Sequence, residues 1–192
     1  MIEVEIRGPV AKKEYAKLKK LLATAGEDIQ EEKRVSVKYR GIDFGVLADM
    51  EIQDGAVSKI TIRDRRADRE VSLSLVGGQL SETLKFCASL GYMKGEVYVR
   101  EVFSARYGGA MFSLVDPLED EGYYYEAVMS AQDPVEAKEA KEKLESMAKK
   151  FKLPQWTEPE MQSFFNSLAR RVNYTFDFTE HGADHFKEKF NI

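Results

Sequence analysis

The chain has 192 residues, of which 43% are hydrophobic and 32% are charged, so it is long enough for one domain with a sizeable core and too apolar to be disordered. Its net charge of -4 argues against a nucleic-acid polymer as partner, because proteins that bind the phosphate backbone are usually basic. The sequence has no apolar run of membrane-span length, and its acidic start differs from a signal peptide. A single cysteine, Cys87, fits a reducing compartment, so we expect a cytoplasmic protein without a membrane partner.

The first part of the chain reads as strand, helix, strand. Residues 2–7 alternate apolar and charged side chains, which is typical of a strand with one buried face. Residues 10–25 carry a helical apolar stripe that ends at Gly26. Residues 34–40 alternate again and predict the next strand.

The middle of the chain repeats that order. A less regular strand at 42–52 leads into a turn at Asp54 and Gly55, and a strand follows at 57–65. A strand at 70–76 and a helix at 79–90 come next, so strand, helix and strand recur as a pattern without recurring as residues.

The last part of the chain ends in helices. Three strands are predicted before them, at 97–107, 111–115 and 123–129. Asp133 followed by a proline starts a helix that runs to about residue 151. Thr157 and Glu160 form a capping box that opens a further helix to about residue 171, and the tail at 174–192 has a mixed pattern.

These elements predict an α+β fold with a mainly antiparallel sheet, because many strands precede the two C-terminal helices. No linker rich in proline, glycine or serine divides the chain. We therefore predict a single domain over residues 1–192, with residues 154–192 as a helical extension. The sheet is expected to form a closed or nearly closed antiparallel β-barrel, a tunnel, with flanking helices and two C-terminal helices.

Charged side chains recur on the predicted strands. On a single strand, charged side chains are explained by a face that is exposed to water. Their recurrence on many long strands flanked by helices instead favours a sheet that encloses a polar interior. Carboxylates in a lumen need a cation, and guanidinium or ammonium groups need an anion, because unpaired buried charge is costly. A polyphosphate with a bound divalent cation supplies both. The strand charges are Glu3, Glu5, Arg7, Lys38, Arg40, Lys59, Arg63, Glu70, Arg100 and Glu126.

The sequence Glu3-Val4-Glu5-Ile6-Arg7 resembles the first-strand signature Glu-x-Glu-x-Lys of the CYTH, or triphosphate-tunnel, family, with arginine in the last place. The resemblance covers roughly residues 1–150 in order. It includes the helix after the first strand and the segments at 58–63, 69–72, 90–92, 99–100 and 122–127. Members of the family include inorganic and thiamine triphosphatases and a class of adenylyl cyclases, which use Mg²⁺ or Mn²⁺ in a β-tunnel.

The resemblance implies metal-dependent hydrolysis of an inorganic, nucleoside or thiamine triphosphate, with Glu3 and Glu5 as catalytic residues. It implies Mg²⁺ or Mn²⁺ as cofactor and a small-molecule polyphosphate or nucleotide as ligand, and it allows a homodimer. The implied metal ligands are Glu3, Glu5, Glu70 and Glu126. The implied phosphate-binding residues are Arg7, Lys38, Arg40, Lys59, Arg63 and Arg100.

The chain also departs from the family pattern. Gly45 and Leu47 stand where arginines are usual, and Ser72 and Val128 stand where a second glutamate is common. The competing hypothesis is therefore a catalytically silent module that binds a phosphorylated metabolite or nucleotide. Cyclisation of ATP is less favoured because nothing specifies adenine, and a third hypothesis is an interaction protein that uses its C-terminal helices.

The histidines of the tail are four residues apart. Two histidines at this spacing, His181 and His185, can act as metal ligands on one helical face. Gly182 interrupts the pattern, so the sequence favours an exposed polar tail over a metal site.

Overall fold

The order of elements follows the sequence patterns closely. A computed structural model describes residues 2–40, 46–53, 56–64, 69–118, 122–171 and 174–190. The strands are β1 (Ile2–Val10), β2 (Glu27–Arg40), β3 (Val46–Gln53), β4 (Ala56–Asp64), β5 (Arg69–Gln79), β6 (Lys94–Tyr107), β7 (Ala110–Asp116), β8 (Tyr123–Ala131) and β9 (Tyr174–Asp177). The helices are α1 (Lys12–Ala25), α2 (Leu80–Ser89), α3 (Pro134–Phe151), α4 (Glu158–Arg171) and α5 (Ala183–Phe190).

The strands form a nine-stranded antiparallel sheet, which confirms the predicted α+β class. The strand order is β1-β8-β7-β6-β2-β3-β4-β5, and β9 pairs with β6. The predicted closure into a barrel is not confirmed, since no pairing joins β1 to β5 among the described residues. The predicted turn at Asp54 and Gly55 lies outside the described residues.

Two strands differ from the sequence prediction. β2 begins at Glu27, whereas the sequence predicted a start at residue 34. The prediction missed the first half of the strand because this half is largely exposed and shows no apolar alternation. Ion pairs hold this half: Arg106 Nε lies 2.8 Å from Asp28 Oδ2, and Lys19 Nζ lies 3.2 Å from Glu31 Oε2. β9 has four residues, too few for a periodic signal, and it follows from its antiparallel pairing with the start of β6.

Packing divides the chain into two compact units. Unit 1 consists of Met1–Glu32 and Arg100–Leu168, and unit 2 of Lys33–Val99 and Ala169–Ile192. The single domain over residues 1–192 stays a prediction.

Unit 1 packs α1 and α3 against one face of strands β1, β8, β7 and β6. Helix α1 contributes Leu18 and Leu22 to this core, and α3 contributes Leu144. Strand residues such as Phe112 and Tyr125 complete it. The predicted start of α3 is confirmed, because the Asp133 carboxylate accepts hydrogen bonds from the first backbone N–H groups of the helix.

Unit 2 packs α2 against strands β2, β3 and β4 and the start of β6. The helix buries Leu80, Leu84 and Cys87 among the apolar strand residues, which include Val37 and Met50. Cys87 is thus a small buried side chain, as its apolar surroundings in the sequence indicate.

None of the described helices is both long and apolar enough to cross a bilayer.

Candidate functional site

The charged residues of β1 lie on the face of the unit 1 sheet that α1 and α3 do not cover. Alternation sends Ile6 and Val10 into the core and sends Glu3, Glu5 and Arg7 to the opposite side. We call this side of β1, β8, β7 and the unit 1 part of β6 the carboxylate face. The predicted one-sided patterning of the first strand is therefore confirmed.

Antiparallel register arranges the carboxylate face in cross-strand rows. One row is Glu5, Val128, Met111 and Arg106. The next row is Arg7, Glu126, Ser113 and Ser104. The row after that is Pro9, Tyr124, Val115 and Val102. The face thus changes from charged to apolar within three rows.

Arg7 joins two carboxylates on this face. Its Nε atom lies 2.5 Å from Glu5 Oε1 and 3.3 Å from Glu126 Oε1. The three side chains are 25–31% exposed, so the cluster is partly shielded from solvent. The structure brings together a predicted phosphate-binding residue and two predicted metal ligands.

Burial and charge act against each other at Glu5. Burial raises the pKa of Glu5 above its ordinary value, and the negative charges of Glu126 and Glu3 add to that effect. The hydrogen bond and the positive charge of Arg7 act in the opposite direction. Ionisation of Glu5 is therefore favoured by the neighbouring Arg7 and opposed by burial.

Helix α4 and the segment before it cover the apolar end of the carboxylate face. Trp156 and Phe164 pack on Tyr124, with ring centroids 5.9 Å and 5.6 Å from it. The Trp156 backbone N–H donates to the Arg7 carbonyl at 2.9 Å, and Arg7 Nη1 lies 3.9 Å from Met161 Sδ. One guanidinium nitrogen thus contacts α4. The predicted opening of this helix is confirmed by Glu160, whose carboxylate accepts from the Thr157 N–H at 2.8 Å.

The other predicted residues of unit 1 lie farther along the same face. Glu3 is exposed and stands opposite Ser130 in the register. Arg100 is half-buried on β6, four residues along the strand from Ser104, which belongs to the Arg7 row. The negative charge of Glu3 acts on Glu5, as described above.

The remaining predicted residues belong to unit 2. Lys38 is exposed, and its ammonium lies 4.9 Å from the ring centroid of Tyr98. Lys59 is half-buried and stands opposite Glu51 in the register. The side chains of three further predicted residues are outside the described set, although their strands are described: Arg40, Arg63 and Glu70.

The positions that depart from the family pattern carry small or apolar side chains. Val128 separates Glu5 from Met111 in its row. Ser72 forms a hydroxyl pair with Thr61 at 2.9 Å in unit 2. The Gly45 position and the Leu47 side chain lie outside the described residues.

Sequence reasoning missed the contributions of Met161 and Trp156 to the surroundings of Arg7. It also missed the hydroxyl pair of Ser104 and Ser113, whose oxygens lie 2.9 Å apart beside Glu126 in the register. For Ser113 the sequence did carry a signal, because alternation along β7 places this residue on the face opposite the core. Met161 and Trp156 had none, because their place depends on where α4 docks.

Two of the predicted metal ligands, Glu5 and Glu126, lie together in the cluster. Among the described residues, no group of three or more His, Cys, Asp or Glu side chains is arranged to hold a metal ion. Glu5 and Glu126 both contact one cationic group, so their oxygens converge on one place. Mg²⁺ commonly binds one or two carboxylates together with water and substrate phosphate. The residues therefore fit a cation that arrives with a phosphate ligand.

The histidine pair of the tail is partly buried and stacked. The rings of His181 and His185 lie 4.0 Å apart with an angle of 21° between their planes. His181 Nδ1 accepts from the Asp177 backbone N–H at 3.1 Å, and the Asp177 carboxylate pairs with Lys94 at 2.8 Å. The residues around this pair are mostly exposed, as expected of a polar tail, while the two imidazole rings are half-buried.

Docking of α5 is expected to weaken in acid. Burial lowers the pKa of His185 below its ordinary value, and the positive charges of His181 and Lys189 add to this while Glu188 opposes it. His185 therefore binds a proton more readily when α5 is detached than when it is docked. The stability of the docked helix is fully present above about pH 6.5 and is lost as the pH falls through the lowered pKa of His185. Amide-exchange protection factors for α5 at pH 7.5 and pH 5.5 measure this, and His185→Gln is the control that should remove the dependence. Equal protection at both pH values would contradict the prediction.

Comparison with known proteins identifies the fold. No family model and no curated protein matches the chain. A proposed adenylate cyclase from Vibrio parahaemolyticus is 14% identical with a TM-score of 0.63, over 86% of this chain and 98% of that one. A proposed adenylyl cyclase from Hippeastrum, described as having a dominant triphosphatase activity, is 13% identical with a TM-score of 0.57, over 86% and 96%.

A solved structure of the Schizosaccharomyces pombe Mediator head module also matches, at 12% identity and a TM-score of 0.56, over 81% of this chain and 98% of the matched one. These likenesses show the fold alone. The chain has a CYTH-like fold, as the resemblance of its first strand implies.

Proposed function

We propose that the chain binds a triphosphate together with a divalent cation and hydrolyses its terminal phosphoanhydride bond. The observation that carries this proposal is the convergence of Glu5, Arg7 and Glu126 on one face of a CYTH-like fold. The triphosphatase activity described for the Hippeastrum protein supports the choice of reaction.

Each residue of the cluster has a role that its chemistry allows. Glu5 and Glu126 provide the hard oxygen ligands that Mg²⁺ or Mn²⁺ prefers. Arg7 provides a planar guanidinium whose N–H groups match phosphate oxygens. A bound divalent cation supplies charge neutralisation for the phosphate oxygens. Glu3, in the row next to that of Glu5 and exposed, adds negative charge near Glu5.

The other residues that the family resemblance implies stay predictions. They are Arg100 in unit 1, and Lys38, Arg40, Lys59, Arg63 and the carboxylate Glu70 in unit 2. Of the unit 2 residues, Lys38 is exposed and Lys59 is half-buried.

A phosphate-binding module without catalysis is the second candidate. It is favoured by Val128, which puts an apolar side chain between Glu5 and Met111 where a carboxylate would enlarge the metal site. A fold shared by a proposed cyclase and a Mediator head module does not by itself decide activity.

Phosphate release tests the proposal. The purified chain is incubated with tripolyphosphate, ATP or thiamine triphosphate, with Mg²⁺ or Mn²⁺ and with a chelator as control. We expect release of phosphate from at least one substrate that requires the metal. Binding of a triphosphate by calorimetry without release from any of the three would support the second candidate and refute hydrolysis.

A further inference from the structure

Arg7 occupies the place where the two carboxylates of the proposed metal site meet. Its Nε atom is within 3.3 Å of an oxygen of both Glu5 and Glu126. We infer that Arg7 is an internal counter-ion that competes with the divalent cation for these two carboxylates. This inference rests on the proposed function and adds a control of metal affinity to it.

The competition follows from the way Arg7 is held. The register of β1 and β8 places Arg7 directly opposite Glu126, and Glu5 projects from the same face two residues away. The carbonyl of Arg7 accepts from the Trp156 N–H, which fixes the backbone under the side chain. Arg7 Nη1 also donates to Met161 Sδ at 3.9 Å. The charged group is therefore held beside both carboxylates.

Glu5 and Glu126 need a neighbouring positive charge both with and without a bound metal ion. Two partly shielded carboxylates that approach one point repel each other unless a positive charge lies between them. Arg7 supplies that charge without metal, and a divalent cation that binds the same oxygens must displace it. The Arg7 side chain is 31% exposed, so the guanidinium has room to move aside.

Displacement also changes what Arg7 can do. In the pair, its Nε–H donates to Glu5 Oε1, and Nε lies 3.3 Å from Glu126 Oε1. Released from them, the planar guanidinium can donate two parallel hydrogen bonds to a phosphate. Metal binding thereby turns Arg7 from a carboxylate partner into a phosphate ligand, and the two binding events favour each other.

The test is the affinity for Mn²⁺ alone, with no nucleotide or phosphate, measured by the electron paramagnetic resonance of free Mn²⁺. Arg7→Gln removes the competing charge and is expected to bind Mn²⁺ about tenfold more tightly than the unaltered chain. Arg7→Lys keeps the charge but loses the fixed planar fork, so its affinity should lie between the two. Arg106→Gln is the matched control, because it removes an equal charge from an arginine that pairs with Asp28 on the same face.

Three results overturn the inference. These are equal or weaker Mn²⁺ binding in Arg7→Gln, an equal gain in Arg106→Gln, and no Mn²⁺ binding by any variant. If Arg7→Gln does not fold, as judged by the fluorescence of Trp156, the Arg7→Lys comparison decides in its place. An unchanged or weaker affinity in Arg7→Lys then overturns the inference.

Phosphate release separates this inference from the proposed function. With both correct, Arg7→Gln binds Mn²⁺ more tightly and yet releases phosphate more slowly, because it lacks the phosphate ligand. Tighter Mn²⁺ binding in a chain that never releases phosphate refutes hydrolysis and leaves the counter-ion role standing. Hydrolysis by the unaltered chain, with equal Mn²⁺ affinity in Arg7→Gln, refutes only the counter-ion role.

Discussion

Replacing Glu5 and Glu126 together by glutamine is expected to lower metal-dependent phosphate release by about 100-fold or more. Glutamine keeps the size and hydrogen bonding of the side chain but removes the charge that a hard cation needs. The two carboxylates both contact Arg7, so the double change removes the place where a cation would bind. Initial rates of phosphate release at saturating Mg²⁺ measure the effect.

The control for this prediction is Glu101→Gln. Glu101 is an exposed carboxylate of unit 1, and alternation along β6 puts it on the same side as Phe103, away from the carboxylate face. Its replacement should leave the rate within about twofold of that of the unaltered chain, since a surface substitution away from the proposed site has a small effect. A loss of activity equal to that of the double variant would contradict the assigned site.

Glu3→Gln separates the sequence-based site from the structural one. The signature implies equal roles for Glu3 and Glu5, whereas the structure gives only Glu5 a described contact with Arg7. We expect Glu3→Gln to reduce the rate much less than Glu5→Gln.

Replacing Gly8 by alanine is expected to destabilise unit 1 by about 2–3 kcal/mol. An added Cβ would lie 1.9 Å from the Pro154 carbonyl oxygen and 2.9 Å from Tyr125 Cε1. The backbone of the segment before α4 must then move away from β1. That movement breaks the hydrogen bond from the Trp156 N–H to the Arg7 carbonyl, which is 2.9 Å long.

Fluorescence offers a direct measurement, because Trp156 is the only tryptophan of the chain. Urea unfolding followed at this residue should show a lower midpoint for Gly8→Ala and a shifted emission of the native state. Gly182→Ala is the matched control, since an added Cβ there meets no atom within 4 Å. An unchanged midpoint and spectrum in Gly8→Ala would show that the segment is not fixed on β1.

Local patterns in the sequence determined much of the secondary structure. Alternation in residues 2–7 depends only on the geometry of a strand, so it already fixed which side of β1 carries Glu3, Glu5 and Arg7. Asp133 and the capping box of Thr157 and Glu160 mark helix starts through contacts within one turn, and both are confirmed. Where alternation was absent, as in the first half of β2, the strand was not foreseen.

Only the tertiary structure decided which charges meet. Glu126 lies far from Arg7 in the sequence, and the register of β1 and β8 places it opposite Arg7 instead of one row away. The docking of α4 decided that Met161 and Trp156 flank Arg7, and no local pattern specifies the partner of an amphipathic helix. The sequence alone therefore determined which side chains of a strand share its charged face, because the period of a strand sets its two faces. Long-range packing determined the cluster on that face, because pairing with distant segments sets the neighbours of each side chain.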